Sequence, residues 1–167
     1  MTTIESPVGE LTLTATDEGL TGVYFDRGSH PPSERDVSTW VRDDGARGRA
    51  SAVLAEAKAQ LASYFAGERT TFDLPLAPRG TDFQQRVWTE LRAIAFGATT
   101  SYGDIARKIG APKAVRAVGA ANGRNPIPII VPCHRVVGSD GSLTGFGGGV
   151  EKKQWLLQHE GALETRA

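Results

Sequence analysis

The period of the apolar residues changes along the chain, and this change limits the folds that the chain can adopt. Leu11, Leu13 and Ala15 alternate with threonines, which is the two-residue period of a half-buried strand. Over residues 50–65 the apolar positions recur every three to four residues, as in an amphipathic helix. Residues 75–80 then form a proline- and glycine-containing boundary. The pattern predicts an α+β fold with two lobes, residues 1–79 and residues 80–167.

The first lobe, residues 1–79, is predicted to be an α/β lobe with a small antiparallel sheet. Turn sequences at 6–9 and 17–19 bound the alternating strand, and residues 20–25 are typical of a further strand. The helix over 50–65 is expected to end at Gly67. Residues 26–49 are polar and predict a long connection whose conformation the sequence leaves open.

The second lobe, residues 80–167, is predicted to be mainly helical. Thr81 followed by Gln84 has the spacing of a capping box, so a helix is expected to begin there and to stop at Gly97. A final helix is predicted over residues 151–160. Both helices carry the apolar stripe of elements that pack on a core.

Two short helices between these elements predict a helix-turn-helix. Ser101 is a candidate N-cap for the first, over residues 101–110, and Pro112 suits the first turn of the second, which is expected to reach about residue 122. Val115 and Val118 are expected to face inward. The motif is used for DNA binding, but helical domains that never touch DNA contain similar corners.

Charge is distributed unevenly, although the net charge of the 167 residues is zero. Residues 1–79 carry 8 Lys/Arg against 12 Asp/Glu, a net of −4, and residues 80–167 carry 11 against 7, a net of +4. Residues 101–135 carry 6 Lys/Arg against Asp104 alone, a net of +5. Such an excess indicates a polyanionic partner, and a solvated basic face is the alternative.

Composition excludes several classes of protein. No run of eighteen apolar residues is present, which argues against a membrane-spanning helix, and the N-terminus lacks the pattern of a secretory signal. Cys133 is the only cysteine, so an internal disulfide and a multi-cysteine zinc site are excluded. A reducing compartment, and hence the cytoplasm, is the expected location.

Cys133 is either a buried apolar filler or a nucleophile. It follows the apolar residues 127–131 and Pro132, and it precedes His134. A free thiol has a pKa of about 8.5, and an imidazole oriented by a carboxylate would raise its thiolate fraction. The sequence does not choose among the carboxylates of the second lobe, which are Asp82, Glu90, Asp104, Asp140, Glu151, Glu160 and Glu164.

The segment 125–136, NPIPIIVPCHRV, resembles the active-site segment of the O6-alkylguanine-DNA alkyltransferases. Four further blocks follow the order of that family: TDFQ at 81–84, SYGDIA at 101–106, RAVG at 116–119 and WLLQHEG at 155–161. The resemblance covers residues 80–161 closely and residues 1–79 in outline. It implies a DNA repair enzyme, a methylated-DNA–protein-cysteine S-methyltransferase that acts once per molecule.

The resemblance also implies roles for single residues. Cys133 would take the alkyl group irreversibly from O6-alkylguanine, and from O4-alkylthymine, in duplex DNA. His134 would act as a base through a water, and Glu160 would orient His134. Asn125 would brace the active-site turn, while Tyr102 would contact the flipped nucleotide and help to protonate the leaving guanine.

The implied DNA contacts centre on Arg116, which would enter the base stack from the second helix of the helix-turn-helix. Basic residues expected to contact DNA with it are Lys113, Arg107, Lys108, Arg124 and Arg135. The expected substrate pocket consists of Tyr102, Pro128, Val136, Phe146 and Gly147. Phe146 replaces the tyrosine usual in the family, and Gly147 replaces a serine of some relatives, so the pocket lacks a hydroxyl at each position.

The expected partner is double-stranded DNA that contains O6-alkylguanine, with no cofactor and no membrane contact. No metal is expected, because the first lobe has no cysteine that could bind the structural zinc of the animal relatives. A monomer in solution is expected, and cooperative binding on DNA is left open. Two rival functions are a non-catalytic module that recognises damaged DNA and a thiol hydrolase with a Cys-His-Glu triad.

Overall fold

A computed structural model of the protein describes residues 1–26, 28, 48–143 and 146–163. The chain divides into two compact units, Met1–Arg79 and Gly80–Ala167. The long connection predicted over residues 26–49 lies almost wholly outside the described residues. No helix in the described part of the chain is long and apolar enough to cross a membrane.

The first unit contains a three-stranded antiparallel sheet and one long helix. The strands are β1 (Thr2–Ile4), β2 (Leu11–Thr16) and β3 (Gly19–Phe25), in that order across the sheet, and the helix is α1 (Arg49–Phe65). Leu11, Leu13 and Leu61 are fully buried, so the alternating face of β2 and the stripe of α1 share a core. The predicted α+β class and the small antiparallel sheet are therefore confirmed.

The second unit is built from four α-helices in its described residues: α2 (Asp82–Arg92), α3 (Tyr102–Lys108), α4 (Val115–Gly123) and α5 (Val150–His159). The capping box predicted at the start of α2 is present: the Thr81 hydroxyl accepts a hydrogen bond from Gln84 N, and Gln84 Oε1 accepts one from Thr81 N. Ser101 caps α3 in the same way by accepting from Asp104 N. These caps satisfy backbone donors that a helix leaves unpaired at its N-terminus.

Helix α4 begins three residues later than predicted. Ala114 N donates to Ala111 O, so a turn, and not the first turn of a helix, occupies residues 111–114. Val118 is buried as expected, whereas Val115 is 41% exposed. The expectation that Val115 faces inward is wrong, because the buried residues of α4 are Val118, Ala121 and Asn122, which begin one turn after Val115.

The segment that contains Cys133 is tied to the start of α3 by a very short parallel sheet. Strand β4 (Thr100–Ser101) pairs with β5 (Val136–Val137), which directly follows a 3-10 helix, Cys133–Arg135. Two-residue strands carry no detectable period, so the sequence did not predict this sheet. It places the 3-10 helix next to the N-terminal end of α3.

Candidate active site

The loop before Cys133 is held by two asparagine side chains. Asn125 Nδ2 donates to Val131 O at 2.7 Å, and Asn125 Oδ1 accepts from Ile127 N at 3.0 Å. Asn122, buried in α4, donates from Nδ2 to Cys133 O at 3.4 Å. The loop is therefore fixed at both ends and presents Cys133 as the first residue of the 3-10 helix.

The same loop contains a strained residue. Ile129 has φ of 73°, a left-handed conformation that is rare for a β-branched residue. Such a conformation costs about 1–3 kcal/mol and persists only where the surroundings enforce it. Ile127 and Ile129 are both fully buried, so their packing, with the hydrogen bonds of Asn125, holds the strained turn.

The Cys133 thiol is buried, with 5% of the residue exposed. Burial raises the pKa of the thiol to about 11, while a side-chain hydrogen bond from Asn125 and the charge of Lys153 act in the opposite direction. The sequence-based expectation of a raised thiolate fraction is therefore wrong for the protein without substrate, because desolvation outweighs the favourable neighbours. The thiol keeps its proton until a base removes it.

His134 and Glu160 form a fully enclosed pair. His134 Nε2 lies 2.9 Å from Glu160 Oε2, and neither side chain is exposed. Burial, together with the charges of Arg135 and Lys153, lowers the pKa of His134 against the opposing effect of Glu160, so the ring is neutral near pH 7. In the neutral ring Nε2–H donates to the carboxylate, and Nδ1 has no hydrogen-bond partner among the described residues. The Nδ1 lone pair is thus the one that can accept a proton.

Arg135 is not where the sequence led us to expect it. It was predicted to contact DNA, but only 6% of the residue is exposed and its guanidinium lies against Glu160, with Nε 2.8 Å from Oε1. The prediction is wrong because a buried, paired guanidinium cannot reach a phosphate on the surface. Composition counts charge but not burial, so it could not separate Arg135 from the exposed basic residues.

Lys153 is a buried residue of the site that the sequence analysis missed. It lies in α5, is fully buried, and donates from Nζ to Val136 O at 2.6 Å. Burial lowers its pKa to about 8, and the negative charge that Cys133 carries when it is ionised opposes that shift. The missed signal was helical spacing, since Leu156 and Leu157 follow three and four residues later on the same buried face.

The residues that were predicted to line a substrate pocket differ in their exposure. Pro128, Val136 and Phe146 are buried, whereas Tyr102 and Gly147 are partly exposed. Tyr102 is the first residue of α3, and its Cδ1 would lie 3.9 Å from a Cβ at Gly119 in α4. The tyrosine ring therefore lies close to the backbone of α4, at ordinary van der Waals distance from the place that a Cβ at Gly119 would occupy.

The remaining basic residues that were predicted to contact DNA are at the surface. These exposed residues are Arg107, Lys108, Lys113, Arg116 and Arg124. Arg107 also pairs with Asp104 on the same helix. In the described ranges no group of three or more His, Cys, Asp or Glu side chains could hold a metal ion.

Both units match domains of one known protein family. The family model for the 6-O-methylguanine DNA methyltransferase ribonuclease-like domain matches residues 1–78, and the model for the DNA binding domain of the same proteins matches residues 82–162. The methylated-DNA–protein-cysteine methyltransferase of Mycobacterium tuberculosis H37Rv is 52% identical over 158 residues, covering 95% of this chain and 90% of the relative. The constitutive enzyme of Bacillus subtilis is 47% identical over 161 residues, covering 95% and 93%.

The fold is similar to that of solved structures as well. Mycobacterium tuberculosis OGT in complex with DNA superposes with a TM-score of 0.84 at 50% identity, covering 96% of this chain and 91% of the other. A Methanococcus jannaschii O6-methylguanine DNA methyltransferase gives a TM-score of 0.63 at 26% identity, covering 99% and 96%. The family models, the identities and the shared fold show that this chain belongs to the 6-O-methylguanine DNA methyltransferase family.

Proposed function

We propose that this chain repairs duplex DNA by transferring the alkyl group of O6-alkylguanine to Cys133, irreversibly and once per molecule. Transfer of a methyl group from DNA to a protein cysteine is the activity of the relatives named above, and the chain belongs to their family. The observation that carries the assignment to particular residues is the enclosed Cys133 next to a His134–Glu160 pair with a free Nδ1 lone pair.

The chemistry follows from these positions. His134 Nδ1 takes the thiol proton, directly or through a water, as Cys133 Sγ attacks the carbon attached to O6. The S–C bond forms, the C–O6 bond breaks, and its electron pair goes to the guanine, which takes up a proton from the Tyr102 hydroxyl. Tyr102 is then one proton short and His134 holds one in excess, so the return of that proton from His134 to Tyr102 through solvent restores both groups and completes the balance. No metal is needed for a displacement of this kind.

Charged and polar neighbours support the developing thiolate. The positive charge of Lys153 and the hydrogen bond from Asn125 both lower the pKa of the thiol against the effect of burial. Glu160 stabilises the imidazolium that His134 becomes after it accepts the proton. The product is a thioether, which none of these groups can hydrolyse, so the protein would be consumed in the reaction.

The exposed basic residues of the second unit support DNA binding through a helix-turn-helix made of α3 and α4. A target atom inside a duplex requires the base to be rotated out, at a cost of a few kcal/mol. Arg116 is exposed on α4 and would fill the space that the rotated base leaves. Lys108, Lys113 and Arg124 would contact phosphates. A relative about half identical to this chain has been solved in complex with DNA, which supports the proposed interface.

Alkyl transfer from O4-alkylthymine is proposed on the same geometry, because the thiol would meet an equivalent oxygen-bound carbon. The buried ring of Phe146 would form an apolar wall of the substrate pocket. Action as a monomer, cooperative binding on DNA and a cytoplasmic location stay predictions.

A turnover count tests the proposal against its rivals. The protein is mixed with a tenfold molar excess of duplex that contains O6-methylguanine, and restored guanines are counted per protein molecule. We expect a burst that stops at one guanine per protein. A count that continues to rise would support a thiol hydrolase, and bound but unrepaired DNA would support a non-catalytic damage-recognition module.

A further inference from the structure

Arg135 uses all three of its nitrogen atoms inside the second unit. Nε donates to Glu160 Oε1 at 2.8 Å, and Nη2 donates to Glu160 Oε2 at 2.9 Å. Nη1 donates to Ile94 O, just after α2, at 2.6 Å. The guanidinium carbon also lies 5.9 Å from the centre of the Phe96 ring. This bidentate pair of hydrogen bonds fixes the plane of the Glu160 carboxylate, which the single ammonium group of a lysine could not do.

The carboxylate oxygen that faces His134 is one of the two that Arg135 holds. Glu160 Oε2 receives hydrogen bonds from Arg135 Nη2 and from His134 Nε2, each at 2.9 Å. The negative charge of Glu160 is therefore already paired with a positive charge before the imidazole contributes anything. His134 meets a carboxylate that is oriented and electrically balanced.

We propose that Arg135 is a positioning residue for the alkyl transfer: by clamping Glu160 and balancing its charge, it keeps His134 neutral, with hydrogen on Nε2 and a free lone pair on Nδ1. The inference rests on the proposed function, in which His134 Nδ1 takes the thiol proton. An unbalanced buried carboxylate would favour a charged ring, and a charged ring has hydrogen on both nitrogens and cannot accept the proton.

The charged and titratable groups around His134 agree with this role. Burial has the largest effect and favours the neutral ring, as do Arg135 and Lys153, whereas Glu160 favours the charged ring. Cys133 precedes His134 in the 3-10 helix and holds its own proton. Segment 93–96 contributes the Ile94 carbonyl and the Phe96 ring, neither of which is titratable. Removal of Arg135 therefore leaves Glu160 opposed only by Lys153 and by burial.

The first measurement uses the unmodified protein without DNA. The chain has three histidines, so nitrogen-15 NMR of labelled histidine, assigned with His134→Gln, can follow one ring through a pH titration. We expect His134 to be neutral with hydrogen on Nε2 at pH 7 and to gain its second proton only below its usual pKa of 6.5. A ring that is already charged at pH 7 would overturn the inference, even if methyl transfer is normal.

The second measurement compares Arg135→Met with Arg92→Met, which replaces the exposed last residue of α2. We expect Arg135→Met to move the protonation of His134, and the acid limb of the single-turnover rate, upward by about one to two pH units. The control should move neither. A folded Arg135→Met protein with a lower rate but an unshifted acid limb would mean that Arg135 only supports the fold, and would contradict the proposal.

A third comparison asks whether Arg135 acts through Glu160. In a Glu160→Gln background the upward shift caused by Arg135→Met should shrink, because no carboxylate charge is left to balance. An equal shift in both backgrounds would overturn the proposal. If Arg135→Met does not fold, Arg135→Gln, which keeps hydrogen-bond donors but removes the charge, takes its place with the same expected upward shift, and a folded Arg135→Gln protein with an unshifted His134 would overturn the proposal. Since the NMR readout needs no substrate, a protein with a neutral His134 that fails to repair DNA would refute the proposed function and not this inference.

Discussion

Two groups of ionisable side chains in the second unit differ sharply in their surroundings. The active-site cluster consists of Cys133, His134, Arg135, Lys153 and Glu160. The basic face consists of Arg107, Lys108, Lys113, Arg116 and Arg124. Every member of the cluster is 6% exposed or less, whereas every member of the basic face is exposed.

The difference determines how each group can work. In the cluster, the side chains of His134, Arg135 and Lys153 each hydrogen-bond to another buried group. The protein interior screens charges little, so the removal of one group changes the protonation of its neighbours. On the basic face, water and salt screen each charge, so the contributions are small and nearly independent. A change in the cluster should therefore alter chemistry and stability together, while a change on the face should alter the handling of duplex DNA and leave the reaction with a free base unchanged.

The largest effect is expected from Glu160→Gln. The variant leaves the buried charge of Arg135 without its partner, which should destabilise the fold by about 3–5 kcal/mol, and it should slow alkyl transfer by about a hundredfold. Urea unfolding and single-turnover kinetics at pH 7 measure the two losses. Glu151→Gln, at the exposed start of the same helix, is the control. A full rate in the Glu160→Gln variant would show that His134 needs no carboxylate.

The same carboxylate predicts a pH dependence of stability. Burial acts to raise the pKa of Glu160, but hydrogen bonds from His134 and Arg135 outweigh it and lower the pKa from 4.5 to about 2. The folded-state pKa is depressed, so this stabilisation is complete above about pH 4.5 and is lost as the pH falls towards 2. In Glu160→Gln the free energy of unfolding should fall less steeply between about pH 4.5 and pH 2 than in the unmodified protein. An equal fall in both proteins would show that Glu160 does not cause the acid sensitivity.

Lys153→Met should have the next largest effect. Without the positive charge the thiol becomes harder to ionise, and a rise of about one pKa unit corresponds to a tenfold lower rate at neutral pH. Single-turnover kinetics on free O6-benzylguanine isolate this effect from DNA binding. Lys152→Met is the matched control on the same helix. Equal rates in the two variants would show that the Lys153 charge does not reach Cys133.

Arg116→Ala tests the basic face where it is expected to assist base rotation. We expect a rate loss of about tenfold on duplex DNA, because a rotated base leaves a gap to fill, and little loss on free O6-benzylguanine, which needs no rotation. The ratio of the two rates is the quantity to compare with that of the unmodified protein. Equal losses on both substrates would place Arg116 in the pocket or the fold.

The smallest effect is expected from Lys113→Gln. An exposed lysine that contacts one phosphate should weaken DNA binding for all sequences and reduce the slope of log K against log salt by about one unit. Binding titrations at several salt concentrations measure the slope, and the alkylation rate at saturating DNA should not change. A change in the alkylation rate with an unchanged salt slope would show that Lys113 acts in alkyl transfer and does not contact a phosphate.

The sequence could predict the elements that depend on local residue patterns, but not the contacts that depend on tertiary packing. The strands of the first unit and the caps of α2 and α3 follow local rules, so the alternation of Leu11 and Leu13 and the Thr81–Gln84 spacing sufficed. The grip of Arg135 on Glu160 joins residues 25 positions apart and depends on tertiary packing. The start of α4 was misplaced because Pro112 fits a turn as well as a first helical turn.

Intact-mass and peptide mass spectrometry after incubation with duplex O6-methylguanine DNA show directly whether Cys133 accepts the alkyl group. We expect the protein to gain the mass of one CH₂ group and the modified peptide to contain Cys133, while Cys133→Ser should bind the duplex and gain nothing. A methyl group on any other residue, or an unmodified protein alongside repaired DNA, would show that Cys133 is not the acceptor.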